Sequence, residues 1–71
     1  MNANLKIGAL EALLTPPQTA ALLGVSLSWL AKARVAGDGP RFVKIGRAVR
    51  YPESAVRDYI RARTRGSTSE V

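Results

Sequence analysis

The feature that most constrains the fold of this chain is a short turn, Gly24-Val25, between two segments that both carry the sequence signals of a helix. Thr15 precedes Pro16 and stands three residues before Gln18, which is the pattern of a capping box with proline at the first helical position. We therefore expect a first helix that begins at Pro16 and ends at the glycine of the turn, where a left-handed backbone is accessible.

The second helix is expected directly after the turn. Ser26 is a suitable N-cap and Gly37 a suitable stop, so the predicted helix covers about 27–36. Since so few residues join the two helices, they have to pack at a steep angle, as in a helix-turn-helix. The same spacing also fits other helical hairpins, so the segment that follows is needed to distinguish a helix-turn-helix from them.

That following segment predicts a β-hairpin. The turn signal Gly37-Asp38-Gly39-Pro40 leads into 41–51, where β-branched and aromatic residues surround Gly46. A three-residue loop, Gly46-Arg47-Ala48, is favoured over a two-residue loop because it gives the hairpin one apolar and one basic face, with Arg47 at the tip. The apolar face would hold Val43, Ile45, Val49 and Tyr51, and the basic face Lys44 and Arg50.

A last helix is predicted over about 52–63, with proline at its start. Its apolar stripe would comprise Val56, Tyr59 and Ile60. Glu53 and Arg57 are spaced to form an ion pair one turn apart.

Together these elements predict a mainly α chain with a small β-hairpin. The architecture is that of a winged helix-turn-helix: a helix-turn-helix, a two-stranded wing and a C-terminal helix. We expect this domain over 14–63, between an N-terminal arm over 1–13 and a flexible polar tail over 64–71.

Composition argues against an enzyme. The chain has 71 residues, which allows one small domain, and it has neither cysteine nor histidine. Disulfides, thiolate metal sites and histidine acid–base chemistry are therefore excluded. The five acids are scattered singly, so we expect no catalytic residue, no metal, no cofactor and no small-molecule substrate. With no long apolar run and no signal peptide in the sequence, we expect no membrane partner and a cytoplasmic location.

The charge balance points to a polyanion as the partner. Eleven Lys and Arg against five Asp and Glu give a formal net charge of +6, and most of the cations are arginine. The planar guanidinium fork suits phosphate. Among polyanions we therefore expect nucleic acid as the partner, ahead of an anionic membrane surface.

The first residues of the second helix are the candidates for base contact, because a helix-turn-helix places that end of its second helix nearest the bases in the major groove. The candidates are Ser26, Leu27, Ser28, Ala31 and Lys32. The hydroxyls and the ammonium can meet phosphates or base edges, and Leu27 can meet a thymine methyl. The alternatives are N-capping for Ser26 and a solvated helix surface for Lys32. This helix has no Asn or Gln, so we infer modest direct readout.

Two other side chains of this helix also have alternative roles. Trp29 either packs against the wing, which is favoured because a large aromatic usually fills a small core, or lies exposed against DNA or a partner. The alternative role for Arg34 is a solvated charge on the helix face.

The wing has the stronger concentration of charge. Its cations are Arg41, Lys44, Arg47 and Arg50, with no acid among them. Such a run at a hairpin tip can follow the phosphates or enter the narrow minor groove. The alternative is a charged edge strand that prevents aggregation.

The stretch from Leu14 to about Ile60 resembles the MerR-like winged helix-turn-helix domains of small excisionases and AlpA-type regulators. The resemblance rests on a Gly-Val-Ser turn followed by a Lys-Ile-Gly-Arg wing, in this order and spacing. It implies that Arg47, and with it Lys44 and Arg50, contacts the DNA backbone or the minor groove. Members often have a small residue where this chain has Trp29.

The resemblance also implies a biological role. Stand-alone domains of this kind often act as recombination directionality factors, which bind repeated sites side by side near an attachment sequence, bend the DNA and direct an integrase toward excision. Others regulate transcription of mobile elements. The implied setting is bacterial and nucleoid-associated, with double-stranded DNA, an integrase and further copies of the chain as partners. An RNA-binding module and a protein-interaction adaptor remain as more distant alternatives.

Overall fold

The structure is a computed structural model that describes residues 10–66. The elements follow in the order β1 (Leu13–Leu14), α1 (Pro16–Leu23), α2 (Leu27–Ala36), β2 (Val43–Ile45), β3 (Ala48–Pro52) and α3 (Glu53–Arg63). Most of the predicted arm over 1–13, and residues 67–71 of the predicted tail, lie outside the described residues. Three helices with a small antiparallel sheet confirm the predicted fold class, a helix-turn-helix with a wing.

The capping box predicted for α1 is present. The Thr15 hydroxyl accepts a hydrogen bond from the Gln18 backbone N–H at 3.2 Å, and the Gln18 side chain accepts one from the Thr15 N–H at 2.9 Å. Gly24 ends the helix in the left-handed conformation, with φ 70°. Both ends of α1 are therefore set by local signals in the sequence.

The second helix starts and stops as predicted. Ser26 is its N-cap, and its hydroxyl accepts a hydrogen bond from the Trp29 N–H at 2.9 Å. Gly37 ends α2 with φ 79°. The Val25 N–H donates to the carbonyl of Ala20 at 3.0 Å, which ties the turn back onto α1.

The sheet has three strands, in the order β1-β3-β2, where the sequence predicted only the two strands of the wing. In the additional pairing Leu14 lies opposite Tyr51, and Leu13 lies opposite Pro52. The end of the predicted arm thus joins the sheet and fixes β3 from its other side.

The predicted three-residue hairpin loop is wrong. Ile45 pairs with Ala48, so the turn consists of Gly46 and Arg47 alone. Gly46 has φ 63°, and no non-glycine residue in the described part of the chain has a positive φ. A positive φ at the first central position only is typical of a type II′ turn, whose twist matches that of the strands it joins.

This register also changes which side chains share a face. Lys44 lies opposite Val49, and Val43 lies opposite Arg50. Paired residues point to the same face of a sheet, so Lys44 shares the face of Val49 and Tyr51, and Arg50 shares the face of Val43. The predicted division into one apolar and one basic face is therefore wrong, and both faces of the wing are mixed.

The core is small and lies between the helices and β3. It is formed by the buried side chains of Ala20, Leu30, Tyr51 and Val56. Partly buried apolar residues pack against it: Leu14, Leu23, Val25 and Val49. Thr19 is also buried, and its hydroxyl donates to the Thr15 carbonyl at 2.9 Å, so that its polar group is satisfied.

The helix α3 contacts the core mainly through Ala55 and Val56. Of the predicted apolar stripe, Val56 is buried, Tyr59 is partly buried and Ile60 is exposed. The predicted pairing of Glu53 with Arg57 is not among the ion pairs in 10–66. The carboxylate that forms ion pairs there is that of Asp58, which lies 3.6 Å from Arg61 and 3.6 Å from Arg41.

The N-terminus of α3 is capped from a distance in sequence. Its own N-cap residue, Pro52, makes no capping bond. Instead the Glu11 carboxylate accepts hydrogen bonds from the Ser54 backbone N–H and from the Ser54 hydroxyl, the latter at 2.7 Å. The hydrogen bond from the Ser54 hydroxyl has the largest effect on the pKa of Glu11, and the bond from the Ser54 backbone N–H the next largest. Both lower this pKa below its ordinary value of 4.5, and the positive charge of Arg57 acts in the same direction.

We predict that Glu11→Gln destabilises the fold at neutral pH and that this difference disappears in acid. The pKa of Glu11 is lowered in the folded state, so its contribution to the free energy of unfolding is present above pH 4.5 and is lost as the pH falls through the folded-state pKa. Urea unfolding of both proteins between pH 7 and pH 3 measures this. Ser54→Ala is the partner control, because it removes the hydroxyl and should reduce the effect of Glu11→Gln. A difference between the two proteins that is independent of pH would contradict the prediction.

Candidate nucleic-acid interface

The helix α2 has a buried side and an outward side. Leu30 and Ala33 are buried against the rest of the fold. At 3.6 residues per turn the side opposite these two carries Ser28 and Val35, with Lys32 on one flank. All three of these outward side chains are exposed. Of the other predicted base-contact residues, Leu27 is exposed and Ala31 is partly buried at the edge of this outward side.

Ser26 already has a structural role. Its hydroxyl oxygen accepts the Trp29 N–H, which is the N-capping alternative considered from the sequence. The residue is exposed, and the hydroxyl hydrogen is not used by this bond. Ser26 therefore retains one donor that can reach a phosphate oxygen at the start of α2.

Arg34 joins α2 to the wing, which sequence analysis missed. Its guanidinium donates a hydrogen bond to the Tyr51 hydroxyl at 2.9 Å and lies 5.9 Å from the centre of the Phe42 ring. The Phe42 and Tyr51 rings are themselves 6.2 Å apart. Arg34 is thus a positioning residue, and its interpretation as a solvated charge is wrong. No local signal could have found a contact between residues 17 positions apart in the sequence.

The four predicted wing cations have different surroundings. Arg47 is exposed in the two-residue turn, and Lys44 is exposed in β2. Arg50 is partly buried and donates to the Val49 carbonyl at 2.8 Å. Arg41 precedes the hairpin and is paired with Asp58 of α3. Both partners of this ion pair are exposed, so the pair contributes little stability, but it does balance the charge of Arg41.

Trp29 does not pack on the wing, contrary to the favoured prediction. Its side chain is 41% exposed and lies on the far side of α2 from Arg34, which faces the wing. It borders a shallow depression together with Leu23, Val25, Tyr59 and Ile60. These neighbours belong to the end of α1, the turn and α3.

The outer arginines of α3 are held on the helix surface. Arg61 pairs with Asp58 within the same helix. The Arg63 guanidinium stacks 3.8 Å from the centre of the Tyr59 ring. Among the described cations, those that are exposed and outside ion pairs and stacking contacts include Lys32 of α2, Lys44 and Arg47 of the wing, and also Arg57 of α3 and Arg65 after it.

Within residues 10–66 no three His, Cys, Asp or Glu side chains lie together as a metal site would require. In the same residues no helix has the length and apolar character needed to cross a membrane. The described surface offers an exposed face of α2 and exposed cations at and next to the hairpin tip.

The helix-turn-helix domain family matches residues 13–64 of the chain. These residues include every helix and strand of the described fold, from β1 to α3. No curated protein matches the chain significantly.

We predict that the bond between Arg34 and Tyr51 stabilises the fold. Tyr51→Phe removes only the hydroxyl and should lower the free energy of unfolding by about 1 kcal/mol. In a double-mutant cycle, Arg34→Ala should cost less in the Tyr51→Phe background than in the unchanged protein, because the shared bond is already lost. Urea unfolding measures both. Lys32→Ala, on the exposed flank of the same helix, is the control and should change stability by less than about 0.5 kcal/mol. Additive effects of the two substitutions would contradict the prediction.

Proposed function

The chain belongs to the helix-turn-helix domain family, and from this premise we propose that it binds double-stranded DNA in a sequence-specific manner, with α2 in the major groove and the wing on the phosphates or in the minor groove. The observation that carries the proposal is the exposed outward side of α2, a helix that the contact between Arg34 and Tyr51 joins to the base of a wing with exposed cations near its tip. The formal net charge of +6 supports a polyanionic partner.

In this proposal the start of α2 lies nearest the bases. Ser26 and Ser28 are exposed there and can donate to phosphate oxygens or to base edges. Lys32 lies one turn further along the outward side and supplies a cation to either target. Leu27 and Ala31 complete the surface and offer apolar contact.

The wing supplies affinity through charge. Arg47 projects from the tip, and Lys44 is exposed two residues before the turn begins at Gly46. Both are well placed to neutralise phosphates or to enter a narrow minor groove. We assign Arg50 and Arg41 supporting roles, because Arg50 bonds to its own strand and Arg41 is paired with Asp58.

For the biological role we propose an architectural factor of the excisionase type. The resemblance to small excisionases supports it, as does the shortage of side chains that form bidentate bonds to bases on the outward side of α2. A domain with modest direct readout gains specificity when several copies occupy adjacent sites and when DNA deformability is also read. Such a factor would bend DNA near an attachment site and orient an integrase toward excision.

We predict a steep dependence of DNA affinity on salt. With about 3–5 phosphates neutralised per domain, the slope of log K against log salt should be about −3 to −4.5. Arg47→Ala should weaken binding and make the slope less steep by about 0.9. The matched control is Arg61→Ala, which removes the same charge from α3, where Asp58 already pairs with it. Fluorescence anisotropy across a salt series provides the measurement, and a flat salt response would refute the phosphate contacts.

The role of the protein is tested by capturing genomic DNA fragments on the purified protein and sequencing those that are enriched. Clustered direct repeats beside an integrase attachment site are the expected result and would support the architectural role. Isolated sites that overlap promoters would favour a transcription regulator of a mobile element instead. If no duplex is enriched over background, or if RNA competes better than duplex DNA, the proposal of sequence-specific binding to duplex DNA fails.

A further inference from the structure

An apolar stripe runs obliquely along α2, from Leu27, near the wing-facing side, to Val35 on the outward side. Leu27, Ala31 and Val35 follow at four-residue intervals and therefore line up along one side of the helix. Val35 is 87% exposed, more than any other large hydrophobic residue of the described part, and Leu27 is 51% exposed. Ala31, between them, is partly buried. A single exposed apolar residue needs no explanation, but a line of apolar residues on the helix proposed to enter the major groove does.

The same helix has few side chains that read bases by hydrogen bonds. Between residues 27 and 36 the sequence has no Asn, Gln, Asp or Glu. The one arginine, Arg34, faces the wing and donates to the Tyr51 hydroxyl. Ser28 and Lys32 remain as polar groups next to the stripe, and of these Lys32 alone is of a type that forms a bidentate pair with a base, guanine.

We propose that the stripe of Leu27, Ala31 and Val35 reads the 5-methyl groups of thymines, an inference that rests on the proposed function. In the major groove the thymine methyl is the apolar group that distinguishes one base pair from the others, and small apolar side chains contact it. Val35 is the residue that sequence analysis did not single out, and its exposed branched side chain is suited to this contact. Because Val35 lies in the last turn of α2, the contact requires that α2 lies along the groove over its whole length.

The length of the stripe limits the size of the site. Eight residues separate Leu27 from Val35, which corresponds to about 12 Å along the helix axis. Successive base pairs are about 3.4 Å apart, so the contacted thymines lie within a run of about four base pairs. One copy of the chain therefore reads a short thymine-containing element.

The test compares two versions of the most enriched captured duplex, one with thymine and one prepared with uracil throughout. Uracil lacks only the 5-methyl group and keeps the same hydrogen-bonding pattern. We expect the affinity for the uracil duplex to be lower by about fourfold for each contacted methyl, the effect of losing one buried methyl-sized group.

Val35→Ala connects this loss to the stripe. Alanine is the better helix former and Val35 is exposed, so the variant should remain folded. It should bind the thymine duplex about fourfold more weakly and should discriminate less between the two duplexes than the unchanged protein. Leu22→Ala, an exposed aliphatic residue of α1, is the control and should leave the discrimination unchanged.

The outcomes separate the inference from the function on which it rests. Equal affinity of the unchanged protein for the two duplexes overturns methyl reading and leaves DNA binding standing. A loss with uracil that is the same in Val35→Ala as in the unchanged protein overturns the role of Val35. If the thymine duplex itself is not bound above background, the proposed function fails and the inference fails with it.

Discussion

Tyr51 is buried where the three parts of the fold meet. Its backbone in β3 pairs with Leu14 of β1, and its side chain packs in the core with Leu30 of α2. At its outer end the hydroxyl accepts the hydrogen bond from Arg34, so that the polar tip of the side chain is satisfied. The wing and α2 are separate in sequence, and the contacts of this one side chain fix the position of one relative to the other.

A small domain has few such points of attachment, because its core buries little surface. The other points of attachment lie at the edge of the sheet and at the start of α3. The pairing of β1 with β3 brings the chain before α1 next to the start of α3, where the Glu11 carboxylate caps the helix through Ser54. The residues that precede the helix-turn-helix thus stabilise the helix that follows the wing. The proposed DNA-binding surface is left free of these contacts and is held in place from behind.

How far the sequence predicts this fold depends on how local each signal is. The limits of α1 and α2 could be predicted because Thr15, Ser26 and the terminal glycines act on backbone groups within four residues. The strand β1 could not be predicted, since its two residues form a strand only through their pairing with β3. The bond between Arg34 and Tyr51 likewise has no local signal. The predicted length of the hairpin loop was wrong for another reason. The prediction assumed that one face of the wing is apolar, and it gave this assumption more weight than the preference for a two-residue type II′ turn when glycine stands at the first central position. The base-contact residues themselves remain a prediction.

The corrected register changes what the wing can do. A three-residue loop would have made it a ribbon with one basic face, suited to lie flat along the phosphates. With the two-residue turn the cations are divided between the faces, and Arg47 stands at the narrow tip. Charge at the tip suits insertion into a groove, where the potential of narrow A·T-rich sequences is most negative. The apolar stripe proposed for α2 favours thymines in the neighbouring major groove. Both surfaces would then select A·T-rich DNA, α2 by its methyl groups and the wing by its shape.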